Sequence, residues 1–357
     1  MIRERDYEVP LPAIPVPATR VYAYTTRLAD FDSPAIERIL RPATELAAHT
    51  VRIELRTGDS TTHAESRPPP ASAFARAKYE VKRRLHRRLP VVELGERTAL
   101  DMRFSFMGNY AHLVHDVIAP LRFIERTLEG DPEVRTGPIH VILGRTPPAI
   151  ATRVLDHAGI PYLCTDGVVR GRLVSISQDL NVCLLPDLAR QPFESGSGAT
   201  PERVFVSRRG ARSLLNEAAV TELLAREGFT RVYMEDHPIG HQWALLANAR
   251  EVVGIHGAGL SSLGFSIHRA SPDAPRFRLV ELFSAGFSSS CFRDYAAVLG
   301  GTWVGVRGRV TPEIVRDLDV LGHARAHDNA SFEVDLEALA EALAFSRSGG
   351  GHPGAGD

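Results

Sequence analysis

The stretch EVVGIHGAGLSSLGF, residues 251–265, decides the fold that the sequence predicts. Its first five residues are mostly β-branched and apolar, which predicts a short buried strand. Gly257 and Gly259 then allow backbone angles that a side chain would forbid, so a ligand can come close to the main chain. Leu260 is expected to begin a helix whose first N–H groups have no partner inside it. This succession favours an anion-binding turn, with a simple tight turn as the alternative.

Strands and helices are predicted to alternate on both sides of this stretch. Working outward, the strands are expected at 230–236, 203–209, 278–283 and 302–306, and the helices at 239–249, 216–229, 291–300 and 335–346. Such alternation is typical of a doubly wound parallel sheet, which binds ligands beyond the carboxyl ends of its strands. Residues 203–346 are therefore predicted to form one Rossmann-like domain.

The first half of the chain indicates a second α/β sheet. Residues 139–165 have the pattern of a strand, a helix and a strand, which is the βαβ unit of an open sheet. A helix that Pro42 should break or kink is predicted at 34–49, and further strands at 21–25, 51–55, 91–94, 99–106, 172–177 and 181–186. The predicted fold class is α/β, with two Rossmann-like domains facing a cleft.

Proline, glycine and serine set the predicted domain boundaries. Four prolines in residues 1–19 disfavour a helix or a central strand and indicate an extended arm. A segment rich in Gly, Ser and Pro at 191–202 indicates a linker between domains at 20–190 and 203–346. The glycine-rich residues 347–357 predict a disordered tail.

The composition disfavours several classes of protein. The 357 residues carry 42 basic and 43 acidic side chains, and this balance disfavours a protein that binds duplex nucleic acid. No apolar run approaches the ~18 residues that span a bilayer. The start of the sequence lacks a hydrophobic signal core, so a cytoplasmic location is expected. The three cysteines are widely separated and indicate neither a disulfide framework nor a metal cluster.

Common cofactor and metal motifs are absent from the sequence. It lacks a GxGxxG that opens a βαβ unit, a GxxxxGK[ST] loop, HExxH and CxxC, which disfavours nicotinamide dehydrogenases, P-loop NTPases and zinc sites. An acidic pair of the DxD type occurs as Asp317 and Asp319, after the α/β core. We interpret that pair as an exposed charged face, and we predict a site without metal or cofactor.

Residues 74–90 predict a basic amphipathic helix. One stripe of this helix is apolar and the other carries Arg and Lys; the apolar stripe consists of Phe74, Ala77, Val81, Leu85 and Leu89. The favoured interpretation is a solvated basic face over a packed apolar face. The alternative is a peripheral contact of residues 74–89 with an anionic membrane surface or an acidic partner.

Residues 107–130 predict a second informative helix, with Asn109 as its N-cap. His112 and Asp116 are four positions apart and share one helical face, with His115 beside them. A histidine and a carboxylate on one face can accept a proton together, with either group as the base. A simple surface hydrogen bond is the alternative.

Charged residues gather at the predicted carboxyl ends of the strands in the second half. Arg208, Arg209 and Arg212 follow the first strand, and a guanidinium suits phosphate oxygens because it offers a planar fork of donors. His256 follows a second strand, and Glu281 lies where a carboxylate commonly holds ribose hydroxyls. Together they predict a nucleoside-diphosphate site. Alternatively, the arginines pair with surface acids and Glu281 is the buried partner of an arginine.

Several ordered motifs resemble glycosyltransferase family 61. They are VFVSRRGARSLLNEAAVTELLAREGF, HQWALLANAREVVGIHGAGLSSLGF and LVELF within residues 203–283, and the earlier GNYAHLVHDVIAPL. The resemblance covers roughly half of the chain. It implies a GT-B-like architecture, an inverting mechanism and a nucleotide-sugar donor, often a UDP-sugar.

The resemblance also distributes roles among the candidate residues. The donor-binding set is Arg208, Arg209, Arg212, Asn216, Glu217, His256, Gly257, Ala258, Gly259, Leu260 and Glu281, and the acceptor side comprises His112, Asp116, Asn109, Tyr110 and His115. Leu113 stands where the family usually has an aromatic residue, so the resemblance does not extend to how the acceptor is recognised. The acceptor itself is a glycan, a lipid-linked molecule or a small molecule.

An inverting transfer needs one base that deprotonates the acceptor hydroxyl, and Asp116 or His112 is the candidate. Without a metal, the arginines and the helix N-terminus stabilise the leaving diphosphate. Two alternatives belong to other classes. A nucleotide-sugar-modifying enzyme such as an epimerase acts on the donor alone, and a non-catalytic scaffold protein binds the nucleotide sugar and does not need Asp116.

Overall fold

The computed structural model describes most of the chain. The described residues are 4–25, 36–65, 69–103, 107–129, 131, 137–177, 181–193, 200–269, 275–286, 289–317 and 325–348. Residues 349–357 of the predicted tail and residues 194–199 of the predicted linker therefore lie outside the described residues. No helix within these ranges is long and apolar enough to cross a membrane.

The strands are numbered along the chain. They are β1 (Arg5–Leu11), β2 (Ile14–Val16), β3 (Thr19–Thr25), β4 (Ile36–Arg41), β5 (Thr44–Leu46), β6 (His49–Asp59), β7 (Val92–Asp101), β8 (His140–Leu143), β9 (Tyr162–Cys164), β10 (Val169–Ile176), β11 (Arg203–Ser207), β12 (Thr230–Tyr233), β13 (Glu251–Ile255), β14 (Arg278–Phe283) and β15 (Thr302–Val310).

The helices are numbered in the same way. The α-helices are α1 (Ala73–Arg87), α2 (Tyr110–His112), α3 (Ala119–Leu128), α4 (Ala149–His157), α5 (Glu217–Arg226), α6 (Ile239–Asn248), α7 (Cys291–Leu299), α8 (Pro312–Arg316) and α9 (Leu336–Arg347). A π-helix occupies Leu113–Ile118, and 3₁₀ segments occupy Asn181–Arg190, Met234–Asp236, Ala258–His268 and Arg325–His327.

The chain forms two compact units, and it enters the second unit twice. The first unit comprises residues 1–11 and 49–192, and the second comprises 12–48 and 193–357. The change after Pro192 lies at the predicted linker. Residues 12–48, which the sequence assigned to an arm and to the N-terminal domain, join the second unit instead.

The first unit is built on a mixed sheet in the order β1-β6-β10-β7-β8-β9. β1, β6 and β10 are antiparallel neighbours, whereas β10, β7, β8 and β9 run parallel. The βαβ unit predicted at 139–165 is confirmed as β8, α4 and β9. One cluster of its core consists of Leu94, Ala99, Ile142, Val169 and Leu173.

The second unit is built on a sheet in the order β12-β11-β13-β14-β15-β3-β4, with every neighbouring pair parallel except β3 and β4. The strands predicted in the second half are confirmed as β11 to β15. Helices α5 and α9 bury apolar side chains against the sheet, including Val220, Leu224, Leu339 and Leu343 beside Phe205, Val253, Val280 and Val304. Helix α6 packs on the 3₁₀ segment Ala258–His268, where Trp243 stacks on Phe265.

Three predicted elements are wrong. The helix expected at 34–49 is two strands, β4 and β5, because pairing with β3 and β2 overrides helix-favouring composition. Pro42 separates these strands instead of kinking a helix. The strand expected at 181–186 is part of the 3₁₀ segment Asn181–Arg190, and the helix expected from Leu260 is the 3₁₀ segment Ala258–His268.

Two of the four prolines near the N-terminus, Pro10 and Pro15, lie in strands, so the predicted extended arm is wrong. β1 is the edge strand of the first sheet, and Pro10 lies opposite Thr50 of β6. An edge strand tolerates proline because its outer N–H groups need no ladder partner. The short strand β2 pairs with β5 through Pro15 and its neighbours.

Candidate functional site

The second unit has a topological switch point between β11 and β13. β12 lies on one side of β11, and the chain then crosses back to place β13, β14 and β15 on the other side. Doubly wound sheets bind ligands beyond the carboxyl ends of the strands at such a point. Ser207 ends β11 and Arg208 follows it, while Ile255 ends β13 and is followed by His256 and Gly257. The predicted donor residues therefore flank the expected binding position.

Arg208 lies against the turn that follows β13. Its Nη1 donates to the carbonyl oxygen of His256 at 3.1 Å, and a Cβ on Gly257 would lie 2.6 Å from that nitrogen. Gly257 has extended backbone angles that any residue adopts, so the approach of the guanidinium explains the glycine. Across the described ranges Arg208 forms no ion pair with a carboxylate, which leaves its other N–H groups able to bind an anion.

Arg212 adds a second positive charge near Arg208. Burial, and then the charge of Arg208, lower the pKa of the Arg212 guanidinium. Its Nε donates to the carbonyl oxygen of Asp328 at 2.9 Å, and its backbone is left-handed with φ 62°. A left-handed backbone is unfavourable for a residue with a Cβ, so the surrounding contacts must hold Arg212 in this place.

Arg209, by contrast, is engaged by an acid. Its two terminal nitrogens each donate to an oxygen of Asp236 at 2.7 Å, and its guanidinium stacks 3.7 Å from the ring centre of Tyr233. The hydrogen bonds to Asp236 raise the pKa of Arg209. The alternative of a surface ion pair therefore describes Arg209, and the structure does not bring it into the group formed by Arg208 and Arg212.

Asn216 and Glu217 make internal contacts at the start of α5. The Asn216 amide bonds both the carbonyl oxygen and the N–H of Val334, at 2.7 and 3.2 Å. The Glu217 carboxylate accepts hydrogen bonds from Ser207 and from the Tyr233 hydroxyl, the latter at 2.6 Å. Burial raises the pKa of Glu217 and these hydrogen bonds lower it, with a net lowering. Both residues thus fix the end of β11 and the start of α5.

Glu281 orients His256 from inside the core. One of its carboxylate oxygens contacts Nδ1 of His256, and the other accepts the Trp303 indole N–H at 2.6 Å. Glu281 is only 1% exposed, so its carboxylate does not face solvent. The ribose contact predicted for Glu281 gains no support from this position. Glu281 instead holds the ring of His256 in place. The backbone carbonyl of His256 accepts the hydrogen bond from Arg208.

The glycine turn itself is half-buried, and Leu260 below it is fully buried. A Cβ on Gly254 would lie 2.4 Å from Leu260 Cδ2, and one on Gly259 would lie 2.9 Å from Met234 Cγ. Leu260 is therefore a packing residue rather than a ligand contact. The next segment is a 3₁₀ helix instead of the predicted α-helix, and the guanidinium that contacts this turn is that of Arg208.

In the first unit, a π-helix shapes the helix that follows β7. The predicted N-cap is confirmed, because the Asn109 side chain accepts the Ala111 N–H at 3.0 Å. The π-turn bond from the Ala119 N–H to the Val114 carbonyl follows further along. Pro120 has no N–H and its ring clashes with the carbonyl four residues earlier, which explains the wider turn. Such π-turns are frequent at functional sites.

His112, His115 and Asp116 come together on this segment, and we call them the helix cluster. Nδ1 of His112 lies 2.6 Å from one Asp116 oxygen, and Nε2 of His115 lies 3.3 Å from the other. The two rings are 5.0 Å apart. All three side chains are half-buried, and burial lowers the pKa of His115. Tyr110, predicted beside them, is buried in the core.

The helix cluster can serve two kinds of chemistry. A histidine bonded to a carboxylate can accept a proton and keep the resulting charge stabilised. One ligand atom from each of the three residues also lies within 4.8 Å of the others, a spacing that suits a metal ion. Two imidazole nitrogens and a carboxylate are ligands that divalent transition metals accept.

A model of the family described as Glycosyltransferase 61 matches residues 110–273. These residues belong to glycosyltransferase family 61. The match begins in the helix of the helix cluster and includes Arg208, Arg212 and the glycine turn. No curated protein matches the chain. The family 61 match points to glycosyltransferase activity, and hence to a sugar donor and an acceptor.

A second group of the same residue types lies mostly outside the family 61 match. We call His63, His86 and Asp166 the loop cluster. Nδ1 of His63 lies 2.7 Å from one Asp166 oxygen, and Nε2 of His86 lies 3.5 Å from the other. The N–H of Arg145 also donates to Asp166 at 3.0 Å. Sequence reasoning missed this cluster because only the sheet topology brings its residues together.

Proposed function

We propose that this protein is an inverting, metal-independent glycosyltransferase that uses a nucleoside-diphosphate sugar, with UDP as the expected nucleotide. One observation carries the proposal. Arg208, without a carboxylate partner among the described residues, lies on the glycine turn at the switch point of the second unit's sheet. The family 61 match over the same residues supports it.

The donor half of the proposal rests on charge. A nucleoside diphosphate gains negative charge as the bond to the sugar breaks, and fixed donors at the diphosphate lower the barrier to that step. Arg208 and Arg212 supply two guanidinium groups where the sheet topology favours a ligand. Under this proposal both units are Rossmann-like domains of a GT-B-like enzyme.

The acceptor half assigns the proton to the helix cluster. When Nδ1 of His112 carries its proton, it donates to Asp116 and leaves Nε2 to accept the proton of the attacking hydroxyl. Asp116 then positions the ring and stabilises the imidazolium. His115, whose pKa burial lowers, stays neutral and adds no opposing charge near neutral pH.

The decisive experiment is calorimetry on the full chain with UDP, GDP, dTDP, ADP and NAD, each with and without Mg²⁺. We expect UDP to bind without Mg²⁺, and we expect Arg208→Ala to weaken that binding. Binding of none of these nucleotides would overturn the donor assignment. Binding that needs Mg²⁺ would overturn the metal-independent mechanism.

The helix cluster needs a separate test because its geometry also suits a metal. UDP release from UDP-sugars, with water as the acceptor, is measured after dialysis against EDTA and after addition of Zn²⁺ or Mn²⁺. Under the proposal, EDTA leaves the rate unchanged. Loss of the rate with EDTA and recovery with one cation would assign the helix cluster to a metal instead.

A further inference from the structure

Helix α1 exposes its apolar stripe to solvent. The exposed fractions are 85% for Phe74, 58% for Val81 and 56% for Leu85. At 100° per residue these three side chains fall within about 40° of one another around the helix axis. Ser72 caps the helix by accepting the Ala75 N–H, so the helix is regular up to the end that carries Phe74. The packed apolar face that the sequence favoured is therefore wrong.

The opposite side of α1 attaches to the first unit through polar side chains. His86 is buried, and its Nε2 lies 3.5 Å from Asp166 of the loop cluster. Arg87 forms an ion pair with Glu65. A surface helix normally turns its apolar stripe toward the core and its charges toward water. Helix α1 has the reverse arrangement, which calls for a second surface against its stripe.

Positive charge borders the stripe on both sides. By helical position, Lys78 and Lys82 lie along one flank, and Arg84 and Arg88 along the other. None of these four forms an ion pair with a carboxylate in the part of the chain that the structure describes. Residues 73–88 contain seven basic side chains and a single acidic one, Glu80, which pairs with Arg83.

We propose that α1 docks this stripe onto an anionic lipid surface. An interfacial helix buries its apolar side chains at the level of the lipid headgroups, while flanking Lys and Arg extend toward the phosphates. A second copy of α1 fits poorly, because two strongly basic helices repel each other. Acidic groups on a protein would match the charges alone, whereas an anionic lipid surface matches both the charges and the apolar stripe from Phe74 to Leu85.

The experiment is co-flotation of the full chain with vesicles of phosphatidylcholine alone, and of phosphatidylcholine mixed with phosphatidylglycerol. We expect binding to the mixed vesicles that added salt weakens, and little binding to phosphatidylcholine alone. The variant Phe74→Ser/Val81→Ser/Leu85→Ser should bind at least about a hundredfold more weakly. The variant Lys78→Gln/Lys82→Gln should lose roughly fivefold per charge.

The matched control is Leu40→Ser/Leu215→Ser, which removes two exposed apolar side chains from the second unit. This control should float with the mixed vesicles as well as the wild type does. Thermal unfolding of each variant confirms that the fold is retained. Absence of wild-type flotation would overturn the proposal, as would equal flotation by the triple serine variant. Self-association that the triple serine variant abolishes would assign the stripe to a second copy.

Discussion

The helix cluster and the loop cluster each consist of two histidines and an aspartate, and both lie in the first unit. The loop cluster joins three separate segments, because His63 follows β6, Asp166 follows β9 and His86 belongs to α1. The helix cluster takes all its side chains from five neighbouring positions of one helix. Hydrogen bonds within the helix cluster therefore hold no two segments together, whereas those of the loop cluster do.

A histidine–aspartate contact is therefore not informative by itself. What matters is whether the contact holds distant parts of the chain together. When it does, stability explains it. When it does not, and the side chains stay half-exposed on a helix with a π-turn, chemistry is the better explanation.

The largest expected effect separates the two clusters directly. Asp116→Asn should lower the rate of UDP release from UDP-sugars by about 10²–10⁴-fold, because it removes the charge that stabilises protonated His112. Asp166→Asn should leave that rate within a few-fold but lower the free energy of unfolding by about 1–2 kcal/mol. Rate measurements and denaturant unfolding of both variants check this. Equal loss of activity in both variants would contradict the assignment of chemistry to the helix cluster and of stability to the loop cluster.

The next effect extends the comparison to two neighbouring arginines of the second unit. Arg208→Ala should raise the dissociation constant for UDP by roughly 10–100-fold, because a hydrogen-bonded charge is lost from the diphosphate. Arg209→Ala should change it by no more than about twofold, because Arg209 forms an exposed ion pair with Asp236. Calorimetry measures both. A stronger effect at Arg209 would show that its ion pair opens to receive the donor.

A smaller effect is expected when only the position of Arg208 changes. Gly257→Ala introduces a Cβ 2.6 Å from Nη1 of Arg208, which must move aside. The extended backbone of Gly257 accepts alanine, so the melting temperature should stay unchanged. The dissociation constant for UDP should rise a few-fold. An unchanged constant would mean that the place of this guanidinium on the turn is irrelevant to binding.

The smallest effect concerns the pH dependence of stability. Burial lowers the pKa of His86 in the folded protein below its ordinary 6.5, so the unfolded chain binds more protons as the solution is acidified. Stability from neutral His86 is complete above pH 6.5 and is lost as the pH falls through the folded pKa. The free energy of unfolding of His86→Gln should therefore fall less steeply between pH 7 and pH 5. An identical slope would remove His86 from the loop cluster's stabilising role.

The contribution of Asp166 to stability is also lost on acidification, but for a different reason from that of His86. The pKa of His86 is lowered by burial, whereas that of Asp166 is lowered, against the effect of burial, by its hydrogen bonds and by His63. Burial raises its pKa, while the Arg145 N–H and His63 lower it, and the net direction is below 3.8. Its contribution to stability is complete above pH 3.8 and is lost as the pH falls further. His86 and Asp166 thus affect the free energy of unfolding in separate pH ranges, below pH 6.5 and below pH 3.8 respectively.

The sequence predicted the sheet of the second unit well because buried parallel strands are short β-branched runs between helices. Strands β11 to β15 follow this pattern and are separated by helical segments. The sequence predicted the strand at 21–25 that became β3, but it assigned that strand to the other domain and did not predict β4. Residues 34–49 have the composition of a helix, and the partner that makes β3 a strand of the second unit lies near the other end of the chain.

The candidate site was predictable where its residues are close in sequence. Spacing alone placed His112 and Asp116 on one face, and Gly257 marked the turn that receives Arg208. Contacts between neighbouring strands were not predictable in this way. Trp303 completes the hydrogen bonds of Glu281 from the adjacent strand, and no local pattern connects the two residues.

The place of β3 between β15 and β4 has a consequence for the synthesis of this protein. Thr19 at its start donates a hydrogen bond to the carbonyl oxygen of Trp303, which lies 284 positions later. Since a chain leaves the ribosome from its N-terminus, β3 and β4 emerge long before β15 exists to receive them. Until then the apolar side chains of Val21, Tyr22 and Ala23 have no core to enter. During most of translation, the nascent chain therefore exposes the apolar side chains of β3, which favours aggregation. A chaperone that binds β3 and β4 would raise the yield of folded protein.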